Sequence, residues 1–486
     1  MHISDLHRSS QDSISNDELI SALVHDRDRY MREDPSVIAP QAIVVSGDII
    51  QGVPLHTDNF ATKIQKQYEV AKDFLDELVK RFLQGDRSRL VMIPGNHDVD
   101  WNTAFTALAS VSSDELPNDP EIALHAEGSL LRWDWKTLTM YRIKDPELYE
   151  QRLAPFWQFF KDFYDGVPEL KSGKNPYDVR IFNLCDDRIG VAAYNSCHGN
   201  DCFAFQGMIR PEAIARNDLD LNDSKNIYDL RMAVWHHGIE GSPYRTDYMN
   251  VNIVHGLIGR GFRLGLHGHQ HKSHVNAQEI RLPDQERMAV VSAGSLCASS
   301  YELPVGIPRQ YNIIEIADDF CSVRTHVRSM SVANLFSKAH LPDFGGASFF
   351  DLNWTRPRNA VGEPIDIQST RIVKCIKDAE IAVKEDNHVE AVTILKSLEE
   401  FPPGSYHRHL LLQAATDGQD WQSIIEITDP PNTINELMLR FDAYYQLNDF
   451  KGAIATLDRF SHTLDLPHSM DLDLRKRARI KDIISQ

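Results

Sequence analysis

The sequence predicts a mixed α/β (α+β) fold over residues 1–333 and an all-α domain over residues 366–486. Three observations carry this reading. Short apolar runs rich in β-branched residues, such as Val44-Val45 and Leu90-Val91-Met92-Ile93, end abruptly in glycine and polar side chains, as buried strands do. Between these runs lie segments whose apolar residues recur at three and four, which argues for helices packed on the faces of a sheet. Beyond Ile365 the helical period takes over.

In chain order, a stub of strand at Ile3 delivers Asp5 and His7. It is so short that the natural start is expected upstream of Met1, unless this strand is unusually brief. Leu19, Ile20, Leu23 and Val24 mark a helix, broken by Asp34-Pro35 before the strand that delivers Gly47-Asp48. A longer helix follows with Tyr68, Ala71, Phe74, Leu75, Leu78, Val79 and Phe82 on one face, stopped by Gln84-Gly85-Asp86. The next strand ends in Gly95-Asn96-His97-Asp98.

From about 101 to 176 an aromatic-rich segment, including Trp133, Trp135, Phe156, Trp157, Phe159, Phe160 and Phe163, reads as a helical insertion. Its rings either make its own core or partly form a cap that restricts access. Arg180–Leu184 and Ile189–Tyr194 form a hairpin. Further strand ends deliver His236-His237 and Gly268-His269-Gln270-His271, and strands near 289–292, 311–316 and 321–327 are expected to close a second sheet. Residues 334–365, rich in Pro and Gly, are a linker.

Whole-chain properties exclude several classes. A chain of 486 residues needs two or three domains. It has no apolar run long enough to span a bilayer and no basic-then-apolar leader, so membrane partners are not expected. Six cysteines without a CxxC pair read as free thiols in a reducing cytoplasm. The net charge of −19 disfavours a surface built to track duplex DNA, though bound divalent cations would supply positive charge where a phosphate docks.

Open α/β sheets carry their sites just beyond the strand ends. Five such ends rich in Asp, Asn and His make a metal site the leading reading. The series Asp5-x-His7, Gly47-Asp48, Gly95-Asn96-His97-Asp98, His236-His237 and Gly268-His269-x-His271 resembles the calcineurin-like metallophosphoesterases, element by element and in order. Each fragment alone is uninformative; together they are specific. The resemblance covers about the first 330 residues and implies a two-sheet β-sandwich flanked by helices.

It also implies two divalent metal ions, Mn foremost, with Fe, Zn or Ni as alternatives. Two metals about 3.5–4 Å apart activate a water and neutralise charge as a phosphoester is cleaved. By this analogy Asp48 bridges them. Asp5, His7 and His271 hold one; Asn96, His236 and His269 hold the other. His97 positions the phosphate and donates a proton to the leaving oxygen. Asp98 orients His97 or supports the turn. His237, next to the ligand, faces substrate or sits behind the ligands, and His267 is structural or stands behind the ligands instead of binding metal.

The sequence lacks the Asp-Arg-Gly of protein serine/threonine phosphatases and the Asp-x-Gly and tyrosine of purple acid phosphatases. The phosphodiesterase branch, with SbcD-like nucleases, remains, which implies DNA, RNA or a nucleotide as substrate. A phosphomonoesterase is the alternative enzyme, and a nucleotide-sensing scaffold the alternative of another kind. In the C-terminal region Ala391, Ser423 and Ala453 occupy matching places in similar segments, at steps of 32 and 30 residues. Tetratricopeptide repeats run at about 34, so the region resembles a degenerate array of that type, suited to a protein partner or self-association.

Overall fold

The computed structural model describes residues 1–486 apart from 10–13, 113, 127, 168–178, 224–227, 241–246, 281–285, 300, 342–344, 355–366, 399–400, 403–404, 465 and 486. Two compact units form: residues 1–279 with 287–358, and residues 359–486 with 280–286.

The first unit is built on two sheets. In one, His2–Ile3, Ile43–Val45 and Leu90–Met92 run parallel side by side, in registers such as Ile3 opposite Val45 and Val44 opposite Val91. Gln310–Ile316 and Ser322–Met330 extend this sheet antiparallel on the His2–Ile3 side. The other sheet runs His274–Ile280, Glu286–Ser292, Phe262–His267, Leu230–Val234, Ile189–Tyr194, Val179–Leu184. Its last two strands are the expected hairpin, with Leu184 opposite Ile189.

The inner faces share one core. Val45, Val91, Ile313 and Val327 of the first sheet belong to the same apolar cluster as Val191, Val234, Leu264 and Val291 of the second. The helix Phe60–Leu83 adds Tyr68, Ala71, Phe74, Leu75 and Leu78 to that cluster, the face its spacing marked out. Burying a large aliphatic side chain contributes roughly 1.5–3 kcal/mol, so this stripe alone fixes the helix on the sheet.

Three expectations need correction. The strands 310–316 and 322–330 complete the first sheet, not the second; only Glu286–Ser292 joins the second. The insertion is not wholly helical. Leu108–Ser110, Thr139–Ile143 and Leu131–Asp134 form a three-stranded antiparallel sheet among the helices Trp101–Thr106, Pro120–His125, Pro146–Glu150 and Ala154–Phe163. Helical spacing holds only for the last of these, where Phe156, Phe159, Phe160 and Phe163 enter the main core. Its end, 168–176, lies outside the described residues.

The supposed linker also contains structure. Phe336–Lys338 and Phe349–Asn353 both pair with Ser322–Met330, anchored by buried Phe336 and Phe350. Its Pro and Gly mark turns between short strands. Residues 342–344 and 355–365 of that stretch lie outside the described residues.

The second unit is helical, including His388–Lys396, Tyr406–Asp417, Trp421–Ile427, Ile434–Gln446 and Phe450–Phe460. One local device recurs three times. Asp386, Gln419 and Asn448 adopt left-handed backbone, and the next residue, Asn387, Asp420 or Asp449, caps a helix through its side chain. The matching small residues Ala391, Ser423 and Ala453 are all buried. No helix among the described residues is long and apolar enough to cross a membrane.

Candidate metal centre

Five parallel strands of the two sheets end at one place, and each hands a polar side chain to it. Asp5 and His7 follow His2–Ile3, Asp48 follows Ile43–Val45, and Asn96 follows Leu90–Met92. His236 follows Leu230–Val234, while His269 and His271 follow Phe262–His267. Five of these seven, Asp5, His7, Asp48, His269 and His271, have φ between 45° and 73°. Left-handed backbone at a non-glycine residue costs about 1–3 kcal/mol and persists where the surroundings impose it. Here it turns consecutive side chains back toward a common point.

The resulting contacts are tight. His7 Nε2 lies 3.3 Å from His271 Nε2, which is 3.2 Å from Asp5 Oδ1. Asp48 Oδ2 stands between two groups, 3.7 Å from His7 Nε2 and 3.3 Å from His236 Nε2. Asn96 Oδ1 is 2.9 Å from both His236 Nε2 and His269 Nδ1. Asp5, His7, Asp48 and His271 alone offer ligand atoms within 4.8 Å of one another.

The far side of each imidazole decides what its near side can do. His236 Nδ1 donates to the Ser46 carbonyl at 2.8 Å, and His271 Nδ1 to the Glu302 carbonyl at 2.9 Å. His269 Nε2 faces Asp247 Oδ2 at 3.3 Å. With those nitrogens carrying the protons, the inward nitrogens present lone pairs. In the neutral rings those lone pairs face Asn96 Oδ1 and carboxylate oxygens, an arrangement that a cation between them would hold together.

Electrostatics agree. Asp5, His7, Asp48 and His236 are buried, and carboxylates out of water need positive charge beside them. Burial pulls His236 and His271 down, but Asp48 and Asp5 beside them outweigh it and raise both to about 9, so with no metal a proton on each inward nitrogen supplies the charge that a divalent ion would replace. Burial likewise pushes Asp5 up, yet His271 brings it to about 2. The donor set therefore fits a divalent metal.

Glycine is required at two points of closest approach. A Cβ on Gly95 would collide with Asp48, and one on Gly47 with the His236 ring.

The remaining predicted residues divide. His97 is half-buried, its ring edge-on to His7 with centroids 4.4 Å apart, and its Nδ1 meets the Gln51 carbonyl at 2.7 Å. Asp98 is not the group that orients this ring. Its carboxylate accepts from Gly95 N, Ile49 N and Tyr68 Oη at 2.8, 3.1 and 3.0 Å, clamping the turn that carries Asn96. Burial and then Asp48 push Asp98 up to about 7. His237 is fully buried behind His236 and His269, with Nδ1 2.9 Å from Ser196 Oγ, so it does not present itself to solvent. His267 is buried and stacked on Trp235.

Five supporting residues escape sequence reasoning: Ser46, Gln51, Ser196, Asp247 and Glu302. Ser46 and Gln51 flank Gly47-Asp48 and could have been found by proximity. The others are reached only through the fold.

Residues 1–273, more than half of the chain, match the calcineurin-like phosphoesterase family. The chain is a member of that family. The family hydrolyses phosphoesters with a dinuclear divalent metal centre, and Asp5, His7, Asp48 and His271 form a candidate site for one here. Similar solved structures include a candidate 5′-nucleotidase from Staphylococcus aureus in complex with α-ketoglutarate, at 14% identity and TM-score 0.31. That match covers 78% of this chain and 57% of the staphylococcal one, so this phosphoesterase spans under two thirds of that protein's length. A dimetal phosphatase from Danio rerio matches at 10% identity and TM-score 0.38, over 73% of this chain and 98% of its own. YfkN from Bacillus subtilis, a calcineurin-like phosphoesterase, matches at 12% identity and TM-score 0.25, over 74% and 91%. No curated protein matches the chain.

Proposed function

We propose that this phosphoesterase is a cytoplasmic two-metal phosphodiesterase acting on a nucleotide or on nucleic acid, with manganese as the metal. The observation that carries the two-metal reading is the position of Asp48 Oδ2 between His7 on one side and His236, with Asn96 beside it, on the other. Asp5, His7 and His271 would hold one ion, Asn96, His236 and His269 the other, and Asp48 would bridge. When bound, such a pair lowers the pKa of water and neutralises charge on the phosphoryl oxygens.

The chain's own groups do the rest. Ser46, Glu302 and Asp247 hold the imidazoles in the tautomers that binding needs. His97 donates its Nδ1–H to the Gln51 carbonyl, which leaves Nε2 to touch the phosphate and, in the imidazolium form, to pass its own proton to the leaving oxygen. Asp98 keeps the Asn96–His97 turn against Ile49. Ser196 accepts from His236 N at 3.0 Å and His237 N at 3.3 Å, so His237 acts as backing for the ligands.

The buried thiols Cys197, Cys202 and Cys297 suit a reducing cytoplasm. The helical unit, read as a degenerate tetratricopeptide-like array, would bind a protein partner or a second copy of the chain. A hydrolysis panel with Mn²⁺ tests the substrate class: bis-4-nitrophenyl phosphate, 4-nitrophenyl phosphate, cyclic nucleotides, and single- and double-stranded DNA and RNA. Turnover of the diester above the monoester is expected. Turnover of the monoester alone would make the protein a phosphomonoesterase, and turnover of neither would favour a nucleotide-sensing scaffold.

A further inference from the structure

Three segments leave the metal centre and meet again outside it, and each brings aromatic rings. The loop after Asp48 passes His97, whose ring bonds the Gln51 carbonyl, and carries His56. The helix Trp101–Thr106 begins just past the Asn96–Asp98 turn and carries Trp101 and Phe105. It is tied to the same loop through Asn102, which bonds Pro54 O and Thr57 N. The third segment starts at Ser196, the residue that backs His236, and returns at Gly207, which lies against the His237 ring. It carries Phe203 and Phe205.

The rings pack on one another. Phe203 stacks on Tyr141 with centroids 5.2 Å apart and planes at 17°, and Phe105 sits edge-on to both, at 6.1 and 5.7 Å. His56 meets Phe105 at 4.9 Å, and Trp101 meets Phe205 at 6.2 Å. Trp101, Phe105, Tyr141 and Phe203 are only half-buried, and Phe205 is 41% exposed. The core-facing aromatics of the same insertion, Phe156, Phe159, Phe160 and Phe163, are buried. The insertion thus sends some rings into the core, while Trp101, Phe105 and Tyr141 join Phe203 and Phe205 in an open shelf beside the segments that carry the candidate site.

We infer that this shelf, of Trp101, Phe105, Tyr141, Phe203 and Phe205, binds the base of a nucleotide or nucleic-acid substrate whose phosphate lies at the metal centre. The inference rests on the phosphodiesterase reading above and names what that reading leaves open, the group attached to the phosphate. A base offers a flat π-face to any exposed ring while its polar edge stays in water, so a half-open stack suits it. An aliphatic group would instead need an enclosed apolar pocket.

The test uses the full-length Mn²⁺-loaded protein and three diesters with one leaving group: the 4-nitrophenyl esters of thymidine 5′-phosphate, methyl phosphate and cyclohexyl phosphate. In Phe205→Ala the preference for the thymidine ester over the methyl ester, as a ratio of kcat/KM, is expected to fall about tenfold, in the range measured for loss of one base–aromatic stack. Phe205→Trp should restore it, and Phe203→Leu should lower it again. An unchanged ratio, or an equal fall for the cyclohexyl ester, overturns the inference. A short single-stranded oligonucleotide assayed beside the thymidine ester shows whether the base comes from a mononucleotide or from a strand end.

If the wild-type protein hydrolyses none of the three, the phosphodiesterase reading fails, and the shelf is judged by binding alone. The Kd of a non-hydrolysable thymidine phosphoramidate should then rise about tenfold in Phe205→Ala; an unchanged Kd overturns the shelf.

Discussion

Inside each of the two units the chain is held by contacts of a different reach. In the phosphoesterase unit Asp5 meets His271, and the Ser295 hydroxyl donates to the Asp5 carbonyl across 290 positions of sequence. In the helical unit each described helix packs mainly on the next, and the same turn-and-cap device returns at Asp386-Asn387, Gln419-Asp420 and Asn448-Asp449. A site assembled from distant positions concentrates its function in a few atoms. A run of helices, each packed on the next, spreads stability over many small contacts. Single substitutions should therefore be severe in the first unit and graded in the second.

The largest effect is expected at Asp48, whose carboxylate faces both halves of the metal centre. Asp48→Asn should lower bound metal and reduce hydrolysis of every substrate by at least about 1,000-fold, which corresponds to roughly 4 kcal/mol of transition-state stabilisation. Metal analysis beside turnover checks it, and full metal content with full activity would remove Asp48 from the bridging role. His97→Ala should keep its metal. It should lose about 100-fold or more on substrates with poor leaving groups and far less on nitrophenyl esters, because only the former need a proton delivered. Equal damage to both substrate types counts against His97 as the acid.

The histidine pair sharpens the contrast within the site. His236→Ala should reduce metal content, since its Nε2 lies 2.9 Å from Asn96 Oδ1 and 3.3 Å from Asp48 Oδ2. His237→Ala removes a buried ring bonded to Ser196 and should act mainly through stability, with metal retained. The reverse result would shift the ligand register by one residue.

How far the chain could be read from its sequence follows the same division of reach. Strand ends were legible because a β-branched run that stops at Gly-Asp or Gly-Asn-His states its own geometry locally. The residues that orient the ligands were not: Asp247 and Glu302 carry no motif, and only the folded chain brings them to His269 and His271. Asp98 shows the limit from the other side, since adjacency to His97 suggested a partner while the backbone turns its carboxylate to Gly95, Ile49 and Tyr68. The strands at 336–338 and 349–353 were hidden because Pro and Gly dominated a stretch whose pairing depends on Ser322–Met330. In the helical unit the recurring cap and buried small residue were visible because they are local: a capping side chain and a small residue about one turn on.

A smaller effect is expected in that second unit. Ala453 is fully buried in a cluster with Leu437, Phe441 and Leu457. Ala453→Leu overfills it, at a cost of about 1–3 kcal/mol, seen as an earlier melting transition of the helical region by circular dichroism. The metal content of the protein should not follow it.

The smallest effect on chemistry is expected from the largest deletion. Every residue gathered at the metal centre, from Asp5 to Glu302, lies in the first unit, as does the aromatic shelf. The helical unit has its own apolar clusters, one around Ala391, Leu395 and Leu411 and another around Ala453 and Leu457, so its helices do not need the sheets to bury their faces. Ending the chain after Ile365 keeps the strand Phe349–Asn353, which pairs with Ser322–Met330 and closes the first sheet; ending it at 333, where composition alone placed the domain limit, would remove that strand. The chain ended after Ile365 should therefore bind metal at the full-length stoichiometry and turn over a nitrophenyl diester within about twofold, a difference below 0.5 kcal/mol. What it should lose is self-association or partner binding, read by light scattering and pull-down. An empty metal site or an aggregated product in the Ile365-terminated chain, with the full-length protein intact, would show that the helices are a wall of the catalytic unit and that the boundary between the two kinds of architecture does not lie there.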